Sequence, residues 1–440
     1  MSSVLVSGAI TVLLVSSVPL AAYAQEVPER RPVQPLFGAP NPRGESEGGL
    51  SATGSLFGSY DDNILLSGQN STSRPPSIPG IGFGEPLRGA ATGYDATVFL
   101  KLPSEQPTFQ ASVFSTGRYF PEFQEYVAGR QMAQAVSSVS ASPWRDTNLR
   151  ITGSGRYSLN APPFATAAAL SESDVDLPFA GDGIPLRHTN DLRGGAELER
   201  ELGTGKTLAG LAGIHSSQID GGERHEMYEV GGKFGARLAQ YAAFRASYIR
   251  QDVDRELGHY VVHHLNIGGD YARPLSASRR AFIAFSGGSA ALESRDSFRL
   301  SAIGNVDFWY EFKQSWIGSV RYHRGITFID EVVDPLLSDA VSGELAGLLS
   351  PRVDFSATAT FTHGLVGFRS RDTYQMYGAR SQVRYALSRV MALYGEYLLF
   401  HYDFPPTILI TGGLPQSTSR QAVKVGLTVS SKLVNLGRRN

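Results

Sequence analysis

Charged side chains recur at alternate positions in many segments of the chain, and this spacing is the first feature with chemical meaning. Residues two apart on a β-strand share a face, so the alternation predicts a sheet with one charged, wetted face. Rings of Arg and Lys on that face would favour anionic solutes, whereas cross-strand pairs with Asp and Glu would keep it polar and rigid. We expect pairing for most of these residues and a mild anion preference overall. The candidates are Lys101, Arg150, Arg156, Arg193, Glu197, Arg237, Arg299, Asp307, Arg321, Arg380, Arg384, Glu396 and Lys424.

Groups that could support covalent or metal chemistry do not form a recognisable set. The chain has no Cys, which excludes disulfides and thiolate chemistry. His263 and His264 are adjacent, as are His215 and Ser216, and neighbours on a strand point to opposite faces. No G-x-S-x-G nucleophile motif occurs, and the acidic segment 159–187 has no known calcium-loop spacing. The sequence therefore predicts no enzyme activity, no cofactor and no metal site.

The elements that position the charged face are predicted to be strands of about 10–14 residues, close to the length of a tilted membrane strand. The count is about 18, with 16 as the alternative because 131–141 and 340–349 alternate least clearly. The predicted strands are 50–60, 92–102, 108–120, 131–141, 147–158, 188–200, 206–217, 226–238, 241–251, 260–271, 279–291, 296–310, 314–328, 340–349, 353–364, 372–386, 390–402 and 419–431.

The connections between these strands alternate in length, which is typical of an outer-membrane barrel. Proline cannot donate to a strand ladder, and the Pro residues fall between the predicted strands or at their ends. Short connections are predicted at 103–107, 142–147, 203–205, 273–279, 350–352 and 388–390. Long ones are predicted at 61–91, 159–187, 251–259, 329–339 and 403–418.

The second face of the strands is apolar but contains many small residues, such as Gly153, Gly155, Gly210 and Ala212. A soluble β-sandwich would place larger side chains on a buried face, whereas lipid needs no close packing. Tyr and Trp residues near the strand ends resemble the aromatic girdles of membrane barrels. We therefore predict an all-β fold, a transmembrane antiparallel up-and-down β-barrel with short periplasmic turns and long extracellular loops.

The N-terminus predicts export from the cytoplasm. Residues 1–24 have an apolar core that ends in Ala22-Tyr23-Ala24, as a cleaved signal peptide does, although no Lys or Arg precedes that core. The predicted organisation continues with a Pro-rich periplasmic segment at 25–48, the barrel at 49–431 and a periplasmic tail at 432–440. The expected location is the bacterial outer membrane, and the expected partners are its lipids and the barrel-assembly machinery. A net charge of −1 gives no reason to expect nucleic acid.

Two short motifs carry a resemblance to a known family. The segment 57–68, "FGSYDDNILLSG", with Tyr60, Asp61, Asp62 and Asn63, resembles the end of strand one in the β-barrel porin 2 family. The segment 423–430, "VKVGLTVS", is similar to that family's closing strand. Barrels of this family are often encoded with exopolysaccharide genes, so the resemblance implies a conduit for polysaccharide export that works with periplasmic export components. One departure is the C-terminal "SKLVNLGRRN", which lacks the terminal aromatic residue of barrel-assembly signals.

Two other functions stay open at the level of sequence. One is a general diffusion or uptake porin for small solutes, and the other is a structural or adhesive barrel without transport. A TonB-dependent transporter is disfavoured, since residues 25–48 are too few for a plug domain. Loss of exopolysaccharide on deletion would favour export, whereas a sealed bilayer would favour the structural role.

Overall fold

The computed structural model describes most of the strands and a part of the connections. The described residues are 48–63, 88–102, 108–123, 130–159, 188–203, 205–219, 224–255, 258–276, 279–294, 297–312, 315–329, 332, 334–367, 372–408 and 416–435. The predicted signal peptide, nearly all of the Pro-rich segment and the acidic segment 160–187 lie outside these residues. Within the described part of the chain, no helix has the length and apolar character needed to cross a membrane.

The chain forms 18 β-strands. They are β1 (Gly49–Asp61), β2 (Gly89–Leu102), β3 (Thr108–Tyr119), β4 (Arg130–Trp144), β5 (Thr147–Leu159), β6 (His188–Glu201), β7 (Lys206–Ile219), β8 (Arg224–Ala239), β9 (Ala242–Arg255), β10 (Gly258–Ser276), β11 (Arg279–Ser294), β12 (Ser297–Phe312), β13 (Trp316–Thr327), β14 (Leu336–Ser350), β15 (Val353–Val366), β16 (Thr373–Ala386), β17 (Met391–Asp403) and β18 (Ser417–Asn435).

Every strand pairs antiparallel with the strands before and after it in the chain, and β1 also pairs with β18. The sheet therefore closes on itself as an up-and-down barrel. Because the strand number is even, both ends of the barrel chain lie at one rim, where Gly49 pairs with Asn435. We call this end the short-turn rim, and the opposite end, which contains 62–88, 160–187 and 404–416, the long-loop rim.

The predicted fold class and strand count are confirmed, and the alternative of 16 strands is wrong. Two predicted connections are also wrong. The predicted long loop 251–259 is almost entirely strand, since β9 runs to Arg255 and β10 starts at Gly258. The predicted turn 273–279 shrinks to 277–278, because β10 continues past Pro274 with a register shift before Ser276. At the C-terminus, β18 continues to Asn435, beyond the predicted boundary at 431.

The register places the two residue series of each strand on opposite sides of the wall. On β1, Leu56 and Tyr60 point outward and are more than half exposed, while Phe57 and Asp61 point inward and are buried. The same alternation leaves Val425 on β18 outward and exposed. A water-facing barrel would have to hydrate this continuous apolar surface, whereas a bilayer covers it.

Aromatic residues border the outward apolar surface near both rims. Towards the long-loop rim they are Tyr60, Tyr119, Tyr157, Tyr228, Tyr248, Tyr322, Tyr377 and Tyr397. Towards the short-turn rim they are Trp144, Tyr271, Tyr310, Trp316, Phe355 and Tyr385. Rings of this kind mark the two interfaces of a membrane, where an amphipathic ring contacts both lipid and water.

Candidate functional site

The candidate site is the inner wall of the barrel. Strand pairing places all the sequence-predicted charges on this wall, in the same residue series as the buried Asp61 and Phe57. Lys101 lies opposite Gly49, and Arg150 lies opposite Glu197. Arg237 is exposed near the short-turn rim.

One group of inner-wall charges is centred on Asp191 of β6. Its carboxylate accepts hydrogen bonds from Arg193 at 3.1 and 3.2 Å and from Arg156 at 3.4 Å. It also lies 3.1 Å from Nε2 of His215 on β7. Asp191, Arg193 and His215 are each more than nine-tenths buried. The paired Arg and Asp groups satisfy one another and keep this sector of the wall fixed.

A second group is centred on Glu396 of β17. Its carboxylate accepts from Nε of Arg380 at 3.0 Å and from the Gln382 amide at 3.1 Å, and Nζ of Lys424 lies 3.4 Å away. Nζ of Lys424 also lies 5.2 Å from the centre of the Phe57 ring. The sequence assigned these charged residues to one wall, and the structure brings Arg380, Glu396 and Lys424 into one network.

Other predicted charges form pairs between neighbouring strands. Lys233 donates to Glu197 at 3.2 Å, Arg384 donates to Asp354 at 2.8 Å, and Arg321 contacts Asp307. Arg299 is different, because its guanidinium donates to the backbone oxygen of Gly367 at 3.0 Å. Pairing across strands is therefore the main arrangement of these charges, as the sequence predicts for most of them.

Sequence reasoning missed several charged residues of the inner wall. Arg245 lies 2.8 Å from the carboxylate of Asp270, and Arg118 lies 5.5 Å from the centre of the Phe57 ring. Arg255 and Arg420 are buried near the long-loop rim. Strand parity was the available signal for Arg118, Arg245 and Arg420, which belong to the inward series of predicted strands, whereas Arg255 fell in the predicted loop 251–259.

The family-like motif at the end of β1 forms hydrogen bonds with β18 and also begins the connection from β1 to β2. The buried Asp61 accepts from Nε of Arg420 at 3.0 Å and from the Asn63 backbone N–H at 3.0 Å. The Asn63 amide donates to Thr418 at 3.0 Å and to the Ser419 carbonyl at 2.9 Å. These contacts close the seam between the first and last strands, while Tyr60 faces outward as a girdle residue.

Part of the inner wall carries hydroxyl groups instead of charges. Thr53 and Ser430 lie 3.0 Å apart, and Ser55 and Thr428 lie 2.9 Å apart across the β1–β18 seam. Further inward hydroxyl groups are Ser51, Thr97, Ser112, Ser356, Thr358 and Thr360. A polar surface with hydroxyl groups is compatible with hydrated or polyhydroxylated solutes.

Near the long-loop rim, the inner wall of β9–β18 carries many apolar side chains, contrary to the polar wall expected from the sequence. We call this region the mouth cluster. It contains Val253, Tyr260, Val262, Ala290, Leu292, Ile303, Phe328, Ile329, Val332, Leu336, Val366, Tyr374, Met376, Leu398, Phe400, Tyr402, Phe404, Ile408 and Ala422. All are buried, and Val253, Val262, Val332, Leu336 and Tyr402 have no exposed surface.

The connection between β13 and β14 contributes to the mouth cluster from inside the barrel. Its consecutive residues Phe328 and Ile329 contact two parts of the cluster, one near β9–β12 and one near β14–β17. Arg255 of β9 donates to the backbone oxygens of Ile329, at 3.0 Å, and of Val332. The buried guanidinium thus ties this connection to a strand on another side of the lumen.

Hydrogen bonds of Gly367 form a second tie to the β13–β14 connection, in addition to those of Arg255. The Gly367 N–H donates to the Pro335 carbonyl at 2.8 Å, and the Gly367 carbonyl accepts from Arg299. Gly367 has a φ of 65°, a conformation that a residue with a side chain adopts only at a cost. The two ties hold the described residues of this connection across one side of the mouth.

In the described residues, no group of three or more His, Asp or Glu side chains has the arrangement needed to hold a metal ion. His264 faces the lumen and lies 3.1 Å from Gln251, whereas His263 faces outward beside Tyr248. The arrangement therefore offers solvated or paired charges, hydroxyl groups and one apolar constriction.

No protein-family model matches the chain, and no curated protein matches its sequence. Several solved structures have a distant likeness to the chain. Pseudomonas aeruginosa OpdQ is 10% identical with a TM-score of 0.44, over 88% of this chain and 98% of that one. OccK2 (OpdF) of the same organism, in complex with glucuronate, is 11% identical with a TM-score of 0.45 and the same coverage. Acinetobacter baumannii OccAB2 is 11% identical with a TM-score of 0.44, again with 88% and 98% covered.

Proposed function

We propose that the chain is a passive outer-membrane channel for small hydrophilic solutes. The observation that carries this proposal is the division of one closed wall into an apolar outward face and an inner face lined with charges and hydroxyl groups. Such a wall crosses lipid without unsatisfied backbone groups and offers water a polar path. The mouth cluster occupies one side of the entrance at the long-loop rim, so we expect the path to admit only small solutes.

The predicted selectivity is a mild preference for anions. Arg and Lys outnumber Asp and Glu among the predicted lumen residues, but most of them have acidic neighbours that cancel much of their field. Paired charges keep a pore hydrated without making it strongly selective. The resemblance to the β-barrel porin 2 family stays a prediction.

Single-channel recording in planar bilayers tests the proposal. We expect discrete, ohmic current steps and a reversal potential slightly on the anion side in a salt gradient. Liposome swelling should show faster entry of monosaccharides than of tetrasaccharides. A bilayer that stays sealed would contradict the channel function and favour a structural barrel, whereas strong cation selectivity would contradict the assignment of the lumen charges.

Polysaccharide export is the second candidate, and the hydroxyl-lined seam around Phe57 favours it. The hydroxyl groups of Thr53, Ser55, Thr428 and Ser430 on this seam can exchange hydrogen bonds with a sugar chain. This function would require the mouth cluster to move and periplasmic export components to deliver the polymer. Deletion of the gene tests it, because loss of secreted polysaccharide supports export and normal secretion contradicts it.

A further inference from the structure

The outward charges at the two rims differ in how they are partnered. Near the long-loop rim, outward arginines contact carboxylates of the protein itself. Arg250 lies 2.8 Å from Asp252, Arg324 lies 2.7 Å from Asp339, and Arg224 contacts Glu226. In each of these pairs the two charges neutralise one another, so the pairs themselves offer little net charge to the surroundings.

At the short-turn rim, most of the described outward and turn-borne charges are basic. They form what we call the basic rim, which consists of Arg145, Arg200, Lys206, Arg352 and Arg389. All five are exposed. Arg145 lies 3.8 Å from Asp146, and the side chains of the other four make no hydrogen bond or ion pair with any described residue. In the described turns of this rim, Asp146 is the one acidic residue, and the exposed Glu201 at the end of β6 belongs to the inward series.

The basic rim lies directly beside the outward apolar surface. Arg145 follows Trp144, which is 67% exposed, and Arg389 precedes Val390, which is 50% exposed. On the β6–β7 hairpin, Arg200 pairs in register with the exposed Leu208. The basic side chains therefore lie at the edge of the apolar surface. When the apolar surface is in a bilayer, this edge is at the level of the lipid headgroups.

Backbone contacts gather the basic rim into two patches. The Glu201 N–H donates to the Asp146 carbonyl at 2.8 Å, which brings the β4–β5 and β6–β7 turns together. The Ala386 N–H donates to the Arg352 carbonyl at 2.8 Å, which brings together the β14–β15 and β16–β17 turns. One patch thus contains Arg145, Arg200 and Lys206, and the other contains Arg352 and Arg389.

We propose that the basic rim binds the phosphate groups of anionic phospholipids in the adjacent leaflet. Guanidinium and ammonium groups whose charge is not neutralised by the described residues are complementary to phosphodiesters, and an arginine can hold one through two hydrogen bonds. The paired charges of the opposite rim do not offer this complementarity. The inference goes beyond channel function, since these side chains lie outside the lumen.

Native tryptophans report on each patch separately. The chain has three Trp residues, of which Trp309 is buried in the lumen wall. Trp144 pairs with Thr147, which pairs with Arg200, so it reports on the first patch. Trp316 donates to the Leu348 carbonyl at 3.1 Å and lies beside the strand that leads to Arg352. Variants with one of these two tryptophans are made by replacing the other two with Phe.

The experiment measures quenching of each tryptophan by dibrominated phosphatidylglycerol or dibrominated phosphatidylcholine in reconstituted vesicles. We expect phosphatidylglycerol to bind several-fold more strongly at both sites, since each basic residue near an anionic surface contributes a roughly fivefold preference. Arg200→Gln with Lys206→Gln should remove most of the preference at Trp144, leaving only the part that Arg145 contributes, and should not change the preference at Trp316. Arg352→Gln with Arg389→Gln should do the reverse, so each pair is the control for the other.

Arg237→Gln is a further control, because Arg237 lies at the same rim on the lumen side and should leave both preferences unchanged. Equal quenching by the two lipids in the unsubstituted rim would overturn the proposal, and so would preferences that are undiminished in both double variants. The conductance of the two double variants should equal that of the parent, so failure of this proposal is distinguishable from failure of the channel function.

Discussion

The mouth cluster and the charged part of the inner wall belong to the same inward residue series, but they create opposite environments. Around Asp191 and Glu396, buried charges are joined by hydrogen bonds, and the wall stays polar. Around Val332 and Tyr402, the inward side chains are apolar and buried, and Ile329 and Val332 of the β13–β14 connection pack among them. The difference shows that inward orientation in a barrel does not by itself make a water-filled passage. Resistance to flow should be concentrated at the mouth, and ion selectivity along the charged wall.

The largest expected effect comes from placing a charge in the mouth cluster. In Val332→Asp, burying an unpaired carboxylate would cost several kcal/mol, about what desolvation of a polar group costs or more. We expect the connection to leave the mouth and the single-channel conductance to rise at least about twofold over that of the parent. Planar-bilayer recording measures this change.

Thr97→Asp is the matched control, because Thr97 lies on the hydroxyl-lined part of the inner wall opposite Thr53. A carboxylate there remains hydrated, so the conductance should change little and only the anion preference should fall. Equal conductance of Val332→Asp and the parent would show that the mouth cluster does not limit flow.

The second effect removes a charge from the polar region. Asp191→Asn leaves Arg156 and Arg193 without their carboxylate, and an uncompensated buried charge costs about 3–5 kcal/mol. The urea midpoint for loss of the folded, heat-modifiable barrel should fall accordingly. Asp252→Asn breaks an outward pair in which Arg250 is 47% exposed, so its effect should be at most about 1 kcal/mol. Equal midpoints for the two variants would contradict the role of Asp191.

The third effect concerns the tie that holds the mouth closed. Arg255→Ala removes the donors to the Ile329 and Val332 carbonyls, and the loss of hydrogen bonds from a charged group should weaken the closed state by about 1.5–3 kcal/mol. We expect frequent transitions between two current levels in the variant and a steady current in the parent. Arg299→Ala, which removes the donor to the Gly367 carbonyl, should give fewer such transitions. If the current of Arg255→Ala is as steady as that of the parent, the tie does not hold the mouth.

The smallest effect is expected at the hydroxyl-lined seam. Thr53→Val removes the 3.0 Å contact with Ser430, and a neutral hydrogen bond contributes about 0.5–1.5 kcal/mol. The urea midpoint should fall slightly and the conductance should stay constant, because backbone pairing still holds β1 to β18. A loss as large as that of Asp191→Asn would mean that the seam depends on hydroxyl contacts more than on its ladder.

The barrel could be predicted from the sequence because its signal is local. Alternation over about ten residues marks each strand, and Pro or Gly marks most connections. The errors occurred where local chemistry misleads. The polar residues near Arg255 resemble a loop but continue two strands, and Pro274 is tolerated at a register shift near the strand end.

The mouth cluster could not be predicted, because its members lie on β9–β18 and meet only after the barrel closes. Val253, Leu398 and Phe400 point inward, at positions where the alternation of polar and apolar residues predicts polar side chains. The partner of each charged residue could not be predicted from the sequence either. Parity assigns Arg380 and Lys424 to the lumen, but only the register shows that both contact Glu396.

Block of the current by a charged thiol reagent at single introduced cysteines tests the central claim most directly, since the native chain contains no Cys. Ser356 lies on the inner wall, and Val425 is 62% exposed on the outward surface. A water-filled passage predicts that a methanethiosulfonate reagent reduces the single-channel current of Ser356→Cys stepwise and does not change that of Val425→Cys. A current reduced at Val425→Cys and unaffected at Ser356→Cys, or no current in either variant, would contradict the account.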